Sequence, residues 1–197
     1  MPLRAENRSI PRFRSWWAEG ENASQRLETE IAAIHKLFNI NTPQILSLPP
    51  TQWDVDKVTI TTRSTRLRPL SHGDFCLWWQ IYFSMDDEKY LGTKKTIKTV
   101  WRMVILYPHD FPEGIVKISI PNYPRRIGDR PQDQHVLGSE TVDGESFPIA
   151  CHYQHSPQDP LCRSDATAAE HAKRGICWLR AKLFAYYFNN DVMPDYL

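Results

Sequence analysis

The sequence predicts an α+β domain in which an N-terminal and a C-terminal helix pack against a four-stranded antiparallel meander. Three observations carry that expectation. Apolar residues recur at helical spacing in residues 23–38 and 167–188. Between them lie successive segments rich in Val, Ile, Thr and aromatic residues, and short turns join those segments. Short connections favour antiparallel neighbours, because a parallel pair needs a crossover of about a dozen residues or more. A chain of 197 residues is long enough to bury a sizeable core as one domain. The domain is expected over residues 23–197, with residues 1–22 as an N-terminal extension whose Trp16 and Trp17 dock on it, in a short helix.

The first helix is expected from Asn22 or Ser24 to Phe38, since Leu27, Ile31, Ile34 and Phe38 recur at four, three and four. Asn39, Asn41 and Pro43 end it, and a linker containing Pro43, Pro49 and Pro50 follows. Residues 58–67 alternate and are rich in Val, Ile and Thr, as a half-covered strand would be. Residues 75–84 are nearly all apolar or aromatic, which suits a strand covered on both faces. The third strand is expected over 96–107, with Trp101, Met103 and Ile105 on one face and Arg102 on the other. Ser71-His72-Gly73-Asp74 and Asp86-Asp87-Glu88 supply the turns. A fourth strand over 115–120 is closed by Pro121 and Pro124-Arg125-Arg126. Residues 121–164 hold too much Pro, Gly, Asp and Gln for regular structure, and a loop of that length in a compact domain is usually functional or disordered. The last helix begins at a capping box formed by Thr167 and Glu170. Its apolar face is Ala168, Ala172, Ile176, Leu179, Leu183 and Tyr187.

Composition excludes some partners. The net charge of +1 offers no field for nucleic acid or an anionic membrane. Arg4, Arg8, Arg12 and Arg14, and Arg125, Arg126 and Arg130, read as solvated surface. No apolar run approaches the ~20 residues of a membrane-spanning helix, and the N-terminus lacks the apolar segment of a secretory signal. Four cysteines could pair, yet a chain of this size folds without disulfides. Cys76, in an apolar strand, and Cys177, in a helix, are expected to be reduced and buried. The expected location is the cytoplasm.

One order of features is more specific. A strand, Tyr107-Pro108-His109-Asp110-Phe111-Pro112, a second strand, a long loop carrying His135 and then Cys151, and a helix near Thr167 follow one another. This order resembles the ubiquitin-conjugating enzyme superfamily over roughly residues 23–189. The resemblance implies the UBC-like fold and a cysteine that carries a ubiquitin-like protein as a thioester. Cys151 takes that role: Phe147-Pro148-Ile149-Ala150 lead into it, polar residues follow, and it precedes Ser164 by 13 residues. Gln158-Asp159-Pro160 falls where the family has Trp-Ser-Pro. Asp133-Gln134-His135-Val136 falls where it has His-Pro-Asn, which puts His135 at the Asn position. That Asn holds the loop and is held to stabilise the oxyanion of transfer, and an imidazole N–H is suited to either task. No cofactor or metal is implied.

The sequence departs from the family pattern in the missing His-Pro-Asn and Trp, the long segment from His135 to Cys151, and His152 in place of Leu, while Tyr-Pro-x-x-Phe-Pro and a single long helix after the cysteine look more like the bacterial members. Several of those are encoded in antiphage operons built around cyclic-oligonucleotide synthases (CBASS). The implied partner is a protein donor with a C-terminal glycine, either such a synthase or a ubiquitin-like protein.

Other readings of the same residues stay open. A noncatalytic binding module of this fold would also lack the Asn and Trp. Cys151, His152, His155, Cys162 and His171 could ligate zinc, although the paired Cys-x2-Cys spacing of structural zinc sites is absent and His171 is expected on the exposed or half-buried side of its helix. A cysteine hydrolase would need His135 or His155 beside Cys151 and an orienting group such as Asp159. Cys162, five residues before Thr167, is the substitute thiol if Cys151 is buried.

Overall fold

The structure, a computed structural model, describes residues 16–17, 22–47, 57–86, 99–125, 135–154 and 156–188. Its elements are α1 (Ala23–Leu37), β1 (Gln44–Ser47), β2 (Lys57–His72), β3 (Phe75–Asp86), β4 (Trp101–Pro108), β5 (Lys117–Ser119), β6 (Val136–Val142), β7 (Glu145–Ala150), a 3-10 turn (Pro160–Cys162) and α2 (Ala168–Phe188). The class is α+β, and every strand pair is antiparallel. The expected meander is β2–β3–β4–β5, four consecutive neighbours, but the sheet has seven strands in the order β1-β2-β3-β4-β5-β7-β6.

Two expectations need correction. The linker after α1 contains β1, an edge strand whose Gln44 to Ser47 pair with residues 57–60 of β2. Residues 121–164 are not an irregular loop, because residues 136–150 form the β6–β7 hairpin. Asp143 (φ 51) and Gly144 (φ 79) make its two-residue turn, and left-handed φ at both positions is the turn geometry whose twist matches the flanking strands. Pro148 cannot donate to a ladder, yet its carbonyl accepts from Ser119 Oγ at 2.7 Å, which helps hold β7 against β5.

One face of the sheet carries the main core: Ile60, Trp79, Ile81, Phe83, Met103, Ile105 and Ile118 pack with Ile34 and Phe38 of α1 and Ile176, Leu179 and Leu183 of α2. The opposite face holds a second cluster in which Phe147, Val142 and Ile149 of the hairpin cover Trp78, Val104 and Leu106. Trp78 and Phe147 meet edge-on at 6.0 Å. Ion pairs from Arg102 to Glu145 and from Lys117 to Glu140 fasten the hairpin along its length. Alternation along β4 explains the split, with Met103 and Ile105 on the helix side and Val104 and Leu106 on the other.

The Tyr107–Pro112 turn joins both helices to the sheet. The buried Tyr107 hydroxyl donates to Glu30 Oε2 at 3.0 Å, and the same oxygen accepts the N–H of Ala168 at 2.9 Å. Arg26 pairs with Glu30 Oε1 at 3.0 Å and donates to the Ala166 carbonyl at 2.9 Å. Glu30 thus supplies a carboxylate to the positive N-terminal end of α2. Its burial still pushes its pKa above the usual carboxylate value, against those hydrogen bonds and Arg26. The expected capping box is present, with Thr167 N–H donating to Glu170 Oε2 at 2.7 Å. Trp16 packs on Tyr107 and Phe111, with ring centroids 5.5 and 4.8 Å away. That accounts for the docking of the tryptophans. They form a turn, and the rest of the expected helix lies outside the described residues. Ala168, Ala172, Ile176, Leu179 and Leu183 are buried as expected, and the side chain of Tyr187 lies outside those described.

Candidate active site

Cys151 stands where β7 ends. Its backbone N–H donates to the His135 carbonyl at 2.9 Å, one step beyond the pairing of Val136 with Ala150. The hairpin therefore sets side by side the two residues that the sequence holds far apart. His135 is left-handed, with φ 49, a conformation His adopts more readily than β-branched residues. Its carbonyl accepts a second hydrogen bond, from Trp178 Nε1 at 3.0 Å. Trp178 is buried on α2 and edge-packed on Tyr123 at 4.8 Å. One turn further along α2, the ammonium of Lys182 lies 5.8 Å from the Trp178 ring centroid.

These contacts set the electrostatics. Cys151 is neither exposed nor fully buried. Burial pushes its thiol above the ordinary value, and the Lys182 ammonium pulls it part of the way back. His135 is pushed below its ordinary value, first by burial and then by Lys182. Near neutrality it is an uncharged imidazole, with one N–H to donate and one lone pair to accept a proton.

The residue after Cys151 anchors the backbone. His152 Nδ1 lies 3.0 Å from the Ala150 carbonyl and His152 Nε2 lies 3.0 Å from His171 Nδ1. A carbonyl only accepts, so Nδ1 of His152 carries its proton, and Nε2 accepts from His171 Nδ1–H. Cys151 is thus held between two residues whose side chain and carbonyl bond to each other. Both rings are buried and neutral. His152 is lowered to about 4, mainly by burial, and His171 to about 3, by burial and then by His152. His171 was expected on the exposed or half-buried side of its helix, and the structure corrects this: it is 2 % exposed.

The chain beyond is clasped by Asp159. Its Oδ2 accepts from Gln154 N–H and from Arg174 Nη1, both at 2.7 Å, and its Oδ1 accepts from Leu161 N–H at 2.9 Å. Burial opposes its ionisation, but Arg174 and the two N–H groups outweigh it and keep the carboxyl below its ordinary value. Tyr153, Leu161 and Ala166 form a small cluster under this segment. Cys162 packs beside it and its thiol donates to the Gln154 carbonyl at 3.3 Å. Cys76 and Cys177 are buried, as expected, and burial raises Cys76 to about 11.

Several groups named in the rival readings are engaged elsewhere. Among the described residues no three His, Cys, Asp or Glu side chains converge as a metal site requires. Of the five proposed ligands, His152 and His171 are bonded to each other and His155 lies outside the described residues. Asp159, the orienting group of the hydrolase reading, has both oxygens engaged by Arg174 and the loop backbone. Among the described residues no helix is long and apolar enough to cross a membrane. A cavity of about 230 Å³ lined by His35, Phe38, Asn39, Ile40, Asn41 and Thr65 lies at the C-terminal end of α1, while the N-terminal half of α1 is the part that meets α2 through Arg26 and Glu30.

The structure brings Cys151 and His135, both singled out from the sequence, into backbone contact, and adds Trp178, Lys182 and the His152–His171 pair, which sequence reasoning missed. Asp143-Gly144 is the sequence signal for the hairpin: a turn there sets residue 136 opposite residue 151, and the bulge between Val136 and Ser139 shifts the register by one so that residue 135 meets residue 151. Compared with protein-family models, curated proteins and solved structures, the chain finds no match.

Proposed function

We propose that this chain is a ubiquitin-conjugating-like acyl transferase, which carries a protein's C-terminal glycine as a thioester on Cys151 and passes it to an amine. The observation that carries the reading is the junction of hairpin and helix. A partly exposed cysteine ends β7 and its backbone N–H donates to the carbonyl of His135, on an antiparallel sheet that two helices cover. The donor, a ubiquitin-like protein or a cyclic-oligonucleotide synthase, and the setting, bacterial antiphage defence in the cytoplasm, rest on the resemblance of the motifs. In this reading the partners are proteins rather than nucleic acid or membrane.

The chemistry has two steps. The Cys151 thiolate attacks the carbonyl of a donor thioester, a new C–S bond forms, the old C–S bond breaks, and the previous carrier leaves as a thiolate. An acceptor amine then attacks the Cys151 thioester. The amide forms, the C–S bond breaks, and the amine proton passes to His135 or water while Cys151 leaves as thiolate. The raised thiol pKa suits a carrier, because a more basic leaving group slows loss of the acyl group to water. In this reading the His135 imidazole N–H takes the oxyanion-stabilising role of the Asn that the resembling family has at this position.

The test is to mix the protein with each candidate donor, with and without an activating enzyme and ATP, and run non-reducing gels. A thiol-sensitive adduct is expected from the wild type and none from Cys151→Ala. Conjugation by Cys151→Ala at the wild-type rate would end the thioester reading. Stable noncovalent complex formation without any adduct would favour a binding module.

A further inference from the structure

We propose that Lys182 supplies the positive charge against which the Cys151 sulfur, and the oxyanion of its acyl adduct, become negative. The residue stands only 7 % exposed on α2, so its charge acts through a medium less polarisable than bulk water. A chain of three contacts leads from it to the backbone of Cys151. Its ammonium lies over the Trp178 ring at 5.8 Å, that indole donates to the His135 carbonyl at 3.0 Å, and Cys151 N–H donates to the same carbonyl at 2.9 Å. Trp178 and Lys182 are four residues apart on one helix and so share a face, the face turned to the end of the hairpin.

Neither described titratable neighbour of Cys151 supplies a charge of its own near neutrality. His135 is uncharged near neutrality, and Tyr153 keeps its phenolic proton because burial and the two neighbouring thiols raise it. Lys182 acts on both Cys151 and His135. With the cation on Lys182, His135 keeps a lone pair free to take the proton of an incoming amine. Negative charge develops on the sulfur when it ionises and again when it leaves, and on the carbonyl oxygen between those moments. A fixed cation already in place stabilises all three without reorganisation. This role rests on Cys151 being the reacting thiol of the reading above.

Alkylation of Cys151 tests it without any donor, in a Cys162→Ser background so that one accessible thiol is read by mass spectrometry. The rate with iodoacetamide is followed from pH 6 to 10.5 in the Lys182, Lys182→Met and Lys182→Arg proteins. A unit charge several ångströms away, at an effective dielectric of about 20, moves a pKa by roughly one unit. Lys182→Met should therefore titrate Cys151 about one pH unit higher. It should react about threefold more slowly at pH 7, since tenfold less thiolate is partly offset by a more basic nucleophile. Lys182→Arg should restore the wild-type profile. If Lys182→Met fails to fold by circular dichroism, the wild-type protein alone decides. Anionic iodoacetate should gain at least severalfold over neutral iodoacetamide at Cys151, relative to the same ratio for glutathione. An unchanged titration in a folded Lys182→Met, or a reagent ratio equal to that of glutathione, would overturn the assignment. A normal Lys182 dependence with no donor adduct would instead sink the thioester reading and leave the local charge intact.

Discussion

Acidification from pH 7.5 to 5 should destabilise this protein through the His152–His171 pair far more than two ordinary surface histidines would. Both rings are buried, and they titrate at about 4 and about 3 against an ordinary 6.5. Folded-state values below the unfolded one mean that the unfolded chain binds the extra protons. The stability is fully present above pH 6.5 and is lost as the pH falls toward the folded values. At pH 5 both rings are still neutral in the folded state, so their mutual coupling does not enter. Each unfolded histidine then gains about 2 kcal/mol from protonation, or about 4 kcal/mol for the pair. Domains have roughly 5–15 kcal/mol in total, so the loss is large. His135 adds to it with the same sign, whereas Glu30, whose folded value is raised, offsets part of it near pH 4–5. Urea unfolding at pH 7.5, 6.5, 5.5 and 5 measures the drop. His171→Leu isolates the pair. It should lower stability by about 1–3 kcal/mol at every pH, because it leaves His152 Nε2 without a donor. It should also cut the pH-dependent drop by about half. Equal stability of the wild type at pH 7.5 and 5, or an undiminished drop in a folded His171→Leu, would refute the reasoning.

Three further outcomes are expected. His135→Ala should slow transfer to the amine by up to about a hundredfold while loading of Cys151 changes little, and His135→Asn, which tolerates φ 49 and keeps an N–H donor, should retain most transfer. Single-turnover loading and discharge assays separate the two steps. Glu30→Ala should cost about 3 kcal/mol in urea unfolding, because it strands the Tyr107 hydroxyl and the Ala168 N–H in the interior, and Glu30→Gln should cost less. Gly175→Ala should destabilise despite alanine's better helix propensity, since its Cβ would sit 2.7 Å from Ile118 Cγ2. Overpacking against a stiff β-branched side chain costs about 1–3 kcal/mol against a gain of about 1, and the shift in the urea midpoint reads the balance.

Local pattern determined much of this architecture from the sequence alone. The four-three-four spacing of Leu27, Ile31, Ile34 and Phe38 is α1, because a helix with one apolar stripe needs no distant partner to be recognised. The same holds for Thr167 and Glu170 at the start of α2, and for the alternation that sorts Arg102 from Trp101 and Met103. The order of turn, cysteine and helix also singled out Cys151 and His135, whose chemistry is carried by residue type. Tertiary structure alone decided the rest. Strand β1 is four residues long and exists through its pairing with β2, and β7 contains Pro148, which propensity excludes, yet the strand is held by the Ser119 hydrogen bond to the Pro148 carbonyl and by Phe147 packing on Trp78. The burial of His171 and Lys182 left no trace in periodicity, since a polar residue looks the same in sequence whether water or another side chain satisfies it. Which it is depends on the residue that folding brings within reach: His152 for His171, nineteen positions away.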